Sequence, residues 1–84
     1  MMQMQVGMVV CATAGKEKDN FYVVTKIDGN AVYLADGKHR RLQKPKRKNV
    51  KHNRLTGEIW ELEGMTDKAL RRRLTERNAD LGGN

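Results

Sequence analysis

Two turn signals eight residues apart, Asp28-Gly29-Asn30 and Asp36-Gly37, bracket the alternating segment Ala31 to Ala35 and constrain the fold more than any other feature. Each Asp-Gly pair supplies the positive φ that tight hairpin turns require. Between them Val32 and Leu34 fall on one face and Tyr33 on the other, the period of a strand. Val6 to Ala12 and Phe21 to Ile27, rich in β-branched and aromatic residues, read as two preceding strands. His39 to Gln43 and Val50 to Leu55 are then expected as a fourth and a fifth. Pro45, which has no backbone donor, should keep the intervening segment out of any central ladder. Five short strands predict a mainly β fold, a small five-stranded barrel over 6–55 whose closure removes exposed edges.

The period changes in the last third. Thr66 followed by Asp67 makes a helix N-cap with a dipole-favourable acid, Leu70 and Leu74 lie one turn apart, and Gly82-Gly83 supplies a stop. A C-terminal helix over 66–80 is expected, its Leu70/Leu74 stripe against the barrel, with Arg72 pairing Glu76 and Arg77 pairing Asp80 at helical spacing. Residues 56–65 contain Ile59, Trp60 and Leu62 and are compatible with a strand, a helical turn or an irregular segment, with Trp60 in the core.

Eighty-four residues make one domain, 1–84. A single cysteine, Cys11, closes no internal disulfide, and with only His39 and His52 beside it no four-ligand zinc set exists. Cys11, in a Val-rich run, is expected as a small buried hydrophobe. The longest apolar stretch, Val6 to Ala14, is too short to span a bilayer, and Met1-Met2-Gln3-Met4 lacks the basic flank of a signal peptide. A soluble, cytoplasmic protein with no membrane partner is the expectation.

The charge is concentrated. Between Lys38 and Arg54 the chain carries nine basic residues (Lys38, Arg40, Arg41, Lys44, Lys46, Arg47, Lys48, Lys51 and Arg54) and no Asp or Glu, while the whole chain is +7. The rest therefore sums to −2. Solubility alone is usually achieved with mixed signs. Leu42, Pro45 and Val50 interrupt the run as they would in a folded segment. A one-sign stripe of this kind is the footprint of phosphate neutralisation, so nucleic acid is the leading partner class.

Catalytic constellations are missing. The chain has no serine and no His paired with a carboxylate at local spacing, and Gly37-Lys38 lacks the glycine framework of a phosphate loop. No catalytic residue, cofactor or metal ligand is assigned.

The segment Gly7-Met8-Val9-Val10, followed by Ala14-Gly15-Lys16-Glu17-Lys18-Asp19-Asn20-Phe21-Tyr22-Val23-Val24, resembles the KOW motif, a strand, basic glycine-bearing loop and strand found in ribosomal proteins and transcription elongation factors. The run from Leu34-Ala35-Asp36-Gly37 to Lys46-Arg47-Lys48 extends the likeness to the bacterial relatives of archaeal and eukaryotic large-subunit ribosomal proteins with an SH3-like barrel. The resemblance covers about Val6 to Leu55. It implies an RNA-binding barrel, ribosome-associated and contacting structured rRNA, with Lys16 and Lys18 of the motif loop and the neighbouring basic strands facing the RNA. Gly15 and Asp19 set the loop geometry. Asp19 stands where the family pattern has glycine, at a position that turns through positive φ; Asp tolerates that conformation better than most residues. Because Lys16, Glu17, Lys18 and Asp19 sum to zero, the burden of phosphate contact falls on Lys38 through Arg54. Among the few aromatics, Tyr33 is the candidate for base stacking. An SH3-like module that binds an acidic or peptide partner is the alternative reading. A Pro-rich ligand, however, needs clustered surface aromatics.

Overall fold

The computed structural model describes residues 3–16 and 18–82, with side chains to residue 77. Met1, Met2, Glu17 and Gly83, which enter the sequence reading, lie outside the described residues, as does the side chain of Asp80. Five strands, β1 (Met8–Ala12), β2 (Phe21–Asp28), β3 (Ala31–Ala35), β4 (Lys46–Asn49) and β5 (Asn53–Ile59), precede one helix, α1 (Asp67–Gly82). They form one antiparallel sheet of order β4-β3-β2-β1-β5.

That order leaves β4 and β5 at opposite edges, yet only the 3₁₀ turn Val50–His52 separates them in the chain. In a flat sheet four strand spacings would hold the edges about 19 Å apart, whereas three residues of 3₁₀ rise about 6 Å. The sheet must therefore roll until its edges approach. Asn49 organises the junction: its Oδ1 accepts from the Lys51 N–H at 3.0 Å, and its carbonyl accepts from Asn53 Nδ2 at 3.2 Å. No ladder joins β4 to β5 among the described residues.

Rolling gives the sheet two apolar faces. Val10, Tyr22, Val24, Val32 and Leu34 fill the inside of the roll, with Leu55 and Val50 packed against them. On the outer face Val9, Val23 and Ala35 meet Leu70 and Leu74 of α1, with Trp60 closing the layer at 7% exposure. This explains why β1 is buried at all five positions: its alternate side chains enter different cores. Thr66 caps α1, its Oγ1 accepting from the Ala69 N–H at 3.1 Å. Beyond the cap, α1 is latched to the sheet by arginines. Arg73 lies 4.4 Å over the Trp60 ring and Arg77 4.5 Å over Phe21, while Arg77 also pairs with Glu58.

Several expectations change. β1 begins at Met8, because Gly7 turns the chain at φ 91 and leaves Val6 exposed. The segment His39 to Gln43 is no strand; residues 36–45 form a loop closed by Asp36 and held by α1. The fourth strand is Lys46–Asn49, directly after Pro45 and, as Pro45 requires, at an edge. Val50 to His52 is a 3₁₀ turn, so the fifth strand starts later and runs to Ile59. The Gly29-Asn30 turn, by contrast, joins β2 and β3 directly as the hairpin signal requires. Arg72 and Glu76 pair as expected, 3.7 Å apart; Arg77 pairs with Glu58, and its expected pair with Asp80 lies outside the described residues.

Candidate nucleic-acid interface

The acid-free run is spread over a loop, an edge strand, a turn and the start of β5. The loop comes first. Asp36 Oδ1 accepts from the N–H groups of Lys38 (2.9 Å) and Arg40 (2.8 Å), and the Arg40 carbonyl accepts from Asp36 and Gly37. Gly37, at φ 78, lies so close to α1 that a Cβ there would stand 2.2 Å from the Asp67 carbonyl oxygen. The Asp-Gly pair thus serves a close approach to the helix and not a tight hairpin. Leu42 donates its N–H to Asp67 Oδ1 at 2.7 Å, and Lys44 donates to the Arg41 carbonyl at 3.0 Å. From this fixed backbone Lys38, Arg41 and Lys44 project into solvent, while Arg40 is half-buried.

Register sorts the basic residues of β4. Lys46 stands opposite Leu34 and Lys48 opposite Val32, on the side of the inner core, whereas Arg47 stands opposite Tyr33 on the outer side. A strand with no apolar residue at all is placed by its ladder to β3 alone. Farther on, Lys51 is exposed on the 3₁₀ turn, and Arg54 is exposed on β5 opposite Cys11.

The inward pair reaches a cavity of about 240 Å³ at the mouth of the roll. Arg40, Lys46, Lys48 and His52 line it, and Ala12, Tyr22 and Leu34 supply apolar walls. Gly15 and Ala14, from the β1–β2 loop, and Asn53 complete the lining. Four sequence-predicted site residues, Gly15, Arg40, Lys46 and Lys48, are therefore brought together around one opening. His52 and Asn53 were not singled out by the sequence, because only the turn between the sheet edges carries them there.

In the β1–β2 loop Gly15 has φ 77 and Asp19 φ 72, the one positive φ of a non-glycine among the described residues. The strained position is locked on both sides: Asp19 N–H donates to the Ala12 carbonyl at 2.8 Å and Ala12 N–H to the Asn20 carbonyl at 2.9 Å. Lys16 and Lys18 are exposed.

Tyr33 is half-buried on the outer face, with Lys26 Nζ 5.5 Å from its ring centroid and Arg47 directly across the ladder. Lys26 is a third residue that local sequence does not single out; it reaches Tyr33 through the β2–β3 ladder, where the two stand opposite each other. Lys38 and His39 belong elsewhere, lining a hollow beside Phe21 with Arg71 of α1. Among the described residues no group of three or more His, Cys, Asp or Glu side chains is placed to hold a metal, and no helix is long and apolar enough to cross a membrane. Comparison of the chain with protein-family models and with curated proteins finds no match to either.

Proposed function

We propose that this protein is a non-enzymatic RNA-binding module of the KOW type, ribosome-associated, that holds structured rRNA through its phosphates. The observation that carries the reading is the placement of the acid-free run. A loop pinned to α1, an edge strand, a 3₁₀ turn and the start of β5 present Lys38, Arg41, Lys44, Arg47, Lys51 and Arg54 with no Asp or Glu among them in sequence, and the carboxylates of Asp36 and Asp67 beside the loop are engaged by its backbone N–H groups. Long flexible cations of this kind neutralise phosphates and read shape, with little base discrimination. The left-handed Asp19, where the KOW pattern has glycine, adds support for the motif loop. The rolled five-stranded sheet is compatible with an SH3-like barrel.

Crosslinking in cells followed by sequencing of the bound RNA tests this directly. The proposal expects reads concentrated in rRNA and lost after nuclease treatment of the lysate. Recovery of a nuclease-insensitive protein partner with no RNA would favour a peptide-binding module instead.

A further inference from the structure

The acid-free run does not end at its own loop: where Lys38 and His39 lie against α1 they line an open hollow of about 270 Å³, and Arg71 of the helix lines it from the other side. We propose that this hollow holds one backbone phosphate of the bound RNA between the loop and the helix; this deepens the RNA-binding reading and rests on it. Gly37 builds the juxtaposition. A Cβ there would stand 2.2 Å from the Asp67 carbonyl oxygen and 2.9 Å from the Arg71 backbone nitrogen, so only glycine lets the loop lie on the helix backbone. The next two residues are thereby set beside Arg71. The loop is fixed before any ligand arrives, because Leu42 N–H donates to Asp67 and Asp36 Oδ1 accepts from the Lys38 and Arg40 N–H groups. A preformed backbone of this kind loses less freedom on binding.

Charge sets the class of ligand. Lys38, His39 and Arg71 are all exposed, and the one carboxylate among the described lining residues, Asp36, already accepts two N–H groups at one oxygen. Lysine offers a point charge, arginine a planar fork that matches two phosphate oxygens, and histidine a ring N–H. Phe21 and Leu74 form an apolar floor with no side-chain acceptor to compete. The volume is many times the share of one water molecule, about 30 Å³, so a phosphate fits with part of its hydration. Lys38 is also the first cation of the run, so a strand lying along the run reaches the hollow by continuing toward α1. Arg72, next to Arg71 in the chain, is absent from the described lining and pairs with Glu76 instead.

The test separates a built site from diffuse positive charge. Binding of the full chain to a short RNA hairpin is titrated by fluorescence anisotropy at several salt concentrations, while NMR follows the ring protons of His39. Arg71→Gln and Lys38→Gln should each weaken binding about fivefold, the size of one net hydrogen-bond contribution, and flatten the salt slope by about one unit. The double variant should lose less than the product of the two single losses, because both cations serve the same phosphate. Arg72→Gln, of equal charge change one residue away, should alter neither quantity. The hairpin should shift the His39 ring protons. Equal losses from Arg71→Gln and Arg72→Gln, or none from Arg71→Gln, would overturn the site and leave RNA binding by the run standing. If the variants do not fold, the His39 shifts of the unaltered protein decide. Shifts caused by inorganic phosphate and not by the hairpin would make this a free-anion site and overturn the assignment to RNA. Shifts caused by polyglutamate and not by the hairpin would assign the hollow to an acidic peptide and overturn it as well. Failure of the unaltered protein to bind the hairpin at any salt concentration would sink both readings.

Discussion

The backbone N–H of Leu42 donates to the carboxylate of Asp67 at 2.7 Å, which ties the middle of the basic loop to the first turn of the helix. The same carboxylate sits where the helix dipole favours negative charge. One side chain therefore orders two elements, and through them the segment that displays Lys38, Arg41 and Lys44.

Asp67→Ala removes the acceptor and the dipole partner together. A loss of about 1.5–3 kcal/mol is expected from a half-buried, charge-assisted bond, with faster amide hydrogen exchange at Leu42. Unchanged exchange at Leu42 would show that the loop is held by other contacts.

Glu58 carries a comparable load at the other end of the helix. Its carboxylate pairs with Arg77 and accepts from Trp60 Nε1 at 3.2 Å. Arg77 is only 14% exposed in its side chain, and its Nη1 is buried with no hydrogen-bond partner among the described residues. Glu58→Ala strands this cation and the indole N–H, so it should cost about 2–4 kcal/mol. Arg77→Met keeps apolar contact with Phe21 and leaves a part-exposed Glu58 to water, and should cost less. Chemical denaturation of the two variants checks the order, and the reverse order would refute this account of the latch.

The parts of the fold legible in sequence were those with local apolar periodicity. Val32, Tyr33 and Leu34 announce β3, and Leu70 with Leu74 announces the buried stripe of α1. β4 was invisible, because Lys46, Arg47, Lys48 and Asn49 have no apolar member and are a strand only through pairing with β3. His39 to Gln43 resembled a strand because Leu42 interrupts the charges, but that residue packs toward the helix face and its N–H is taken by Asp67, 25 residues away. Arg77 likewise finds Glu58, 19 residues earlier in the chain, a partner that no local spacing announces. In the candidate site the cations were readable from composition. Their division between the cavity and the outer face was not, since it depends on the register of β4.

Asp19→Gly tests the β1–β2 loop. Glycine occupies φ 72 without a Cβ penalty and removes a negative charge from beside Lys16 and Lys18. RNA affinity should rise, and the melting temperature should hold or rise slightly. Weaker binding would mean that the Asp19 carboxylate makes a contact of its own to the RNA.

Tyr33 is flanked by Lys26 and Arg47, an arrangement suited to a base stacked on the ring with its phosphates on the neighbouring cations. Tyr33→Ala should weaken binding to single-stranded RNA by about 1–3 kcal/mol, and Tyr33→Phe should restore most of it. Equal affinity for all three proteins in a titration would remove Tyr33 from the interface.

The central claim is that the acid-free run neutralises phosphates, and the salt dependence of RNA binding measures this most directly. For about four to six phosphates, log K against log salt should fall with a slope of about −3 to −5. Replacing Lys46, Arg47 and Lys48 together by Gln should flatten that slope by up to about three units, with a modest stability change because Lys48 is half-buried in β4. Replacing Arg71 and Arg72 is the matched control; Arg73 is spared because it packs on Trp60. A steep slope in the unaltered protein that flattens with the β4 triple and much less with the helix pair is the predicted result. A flat salt response, or a larger effect from the helix pair at equal stability, would contradict it.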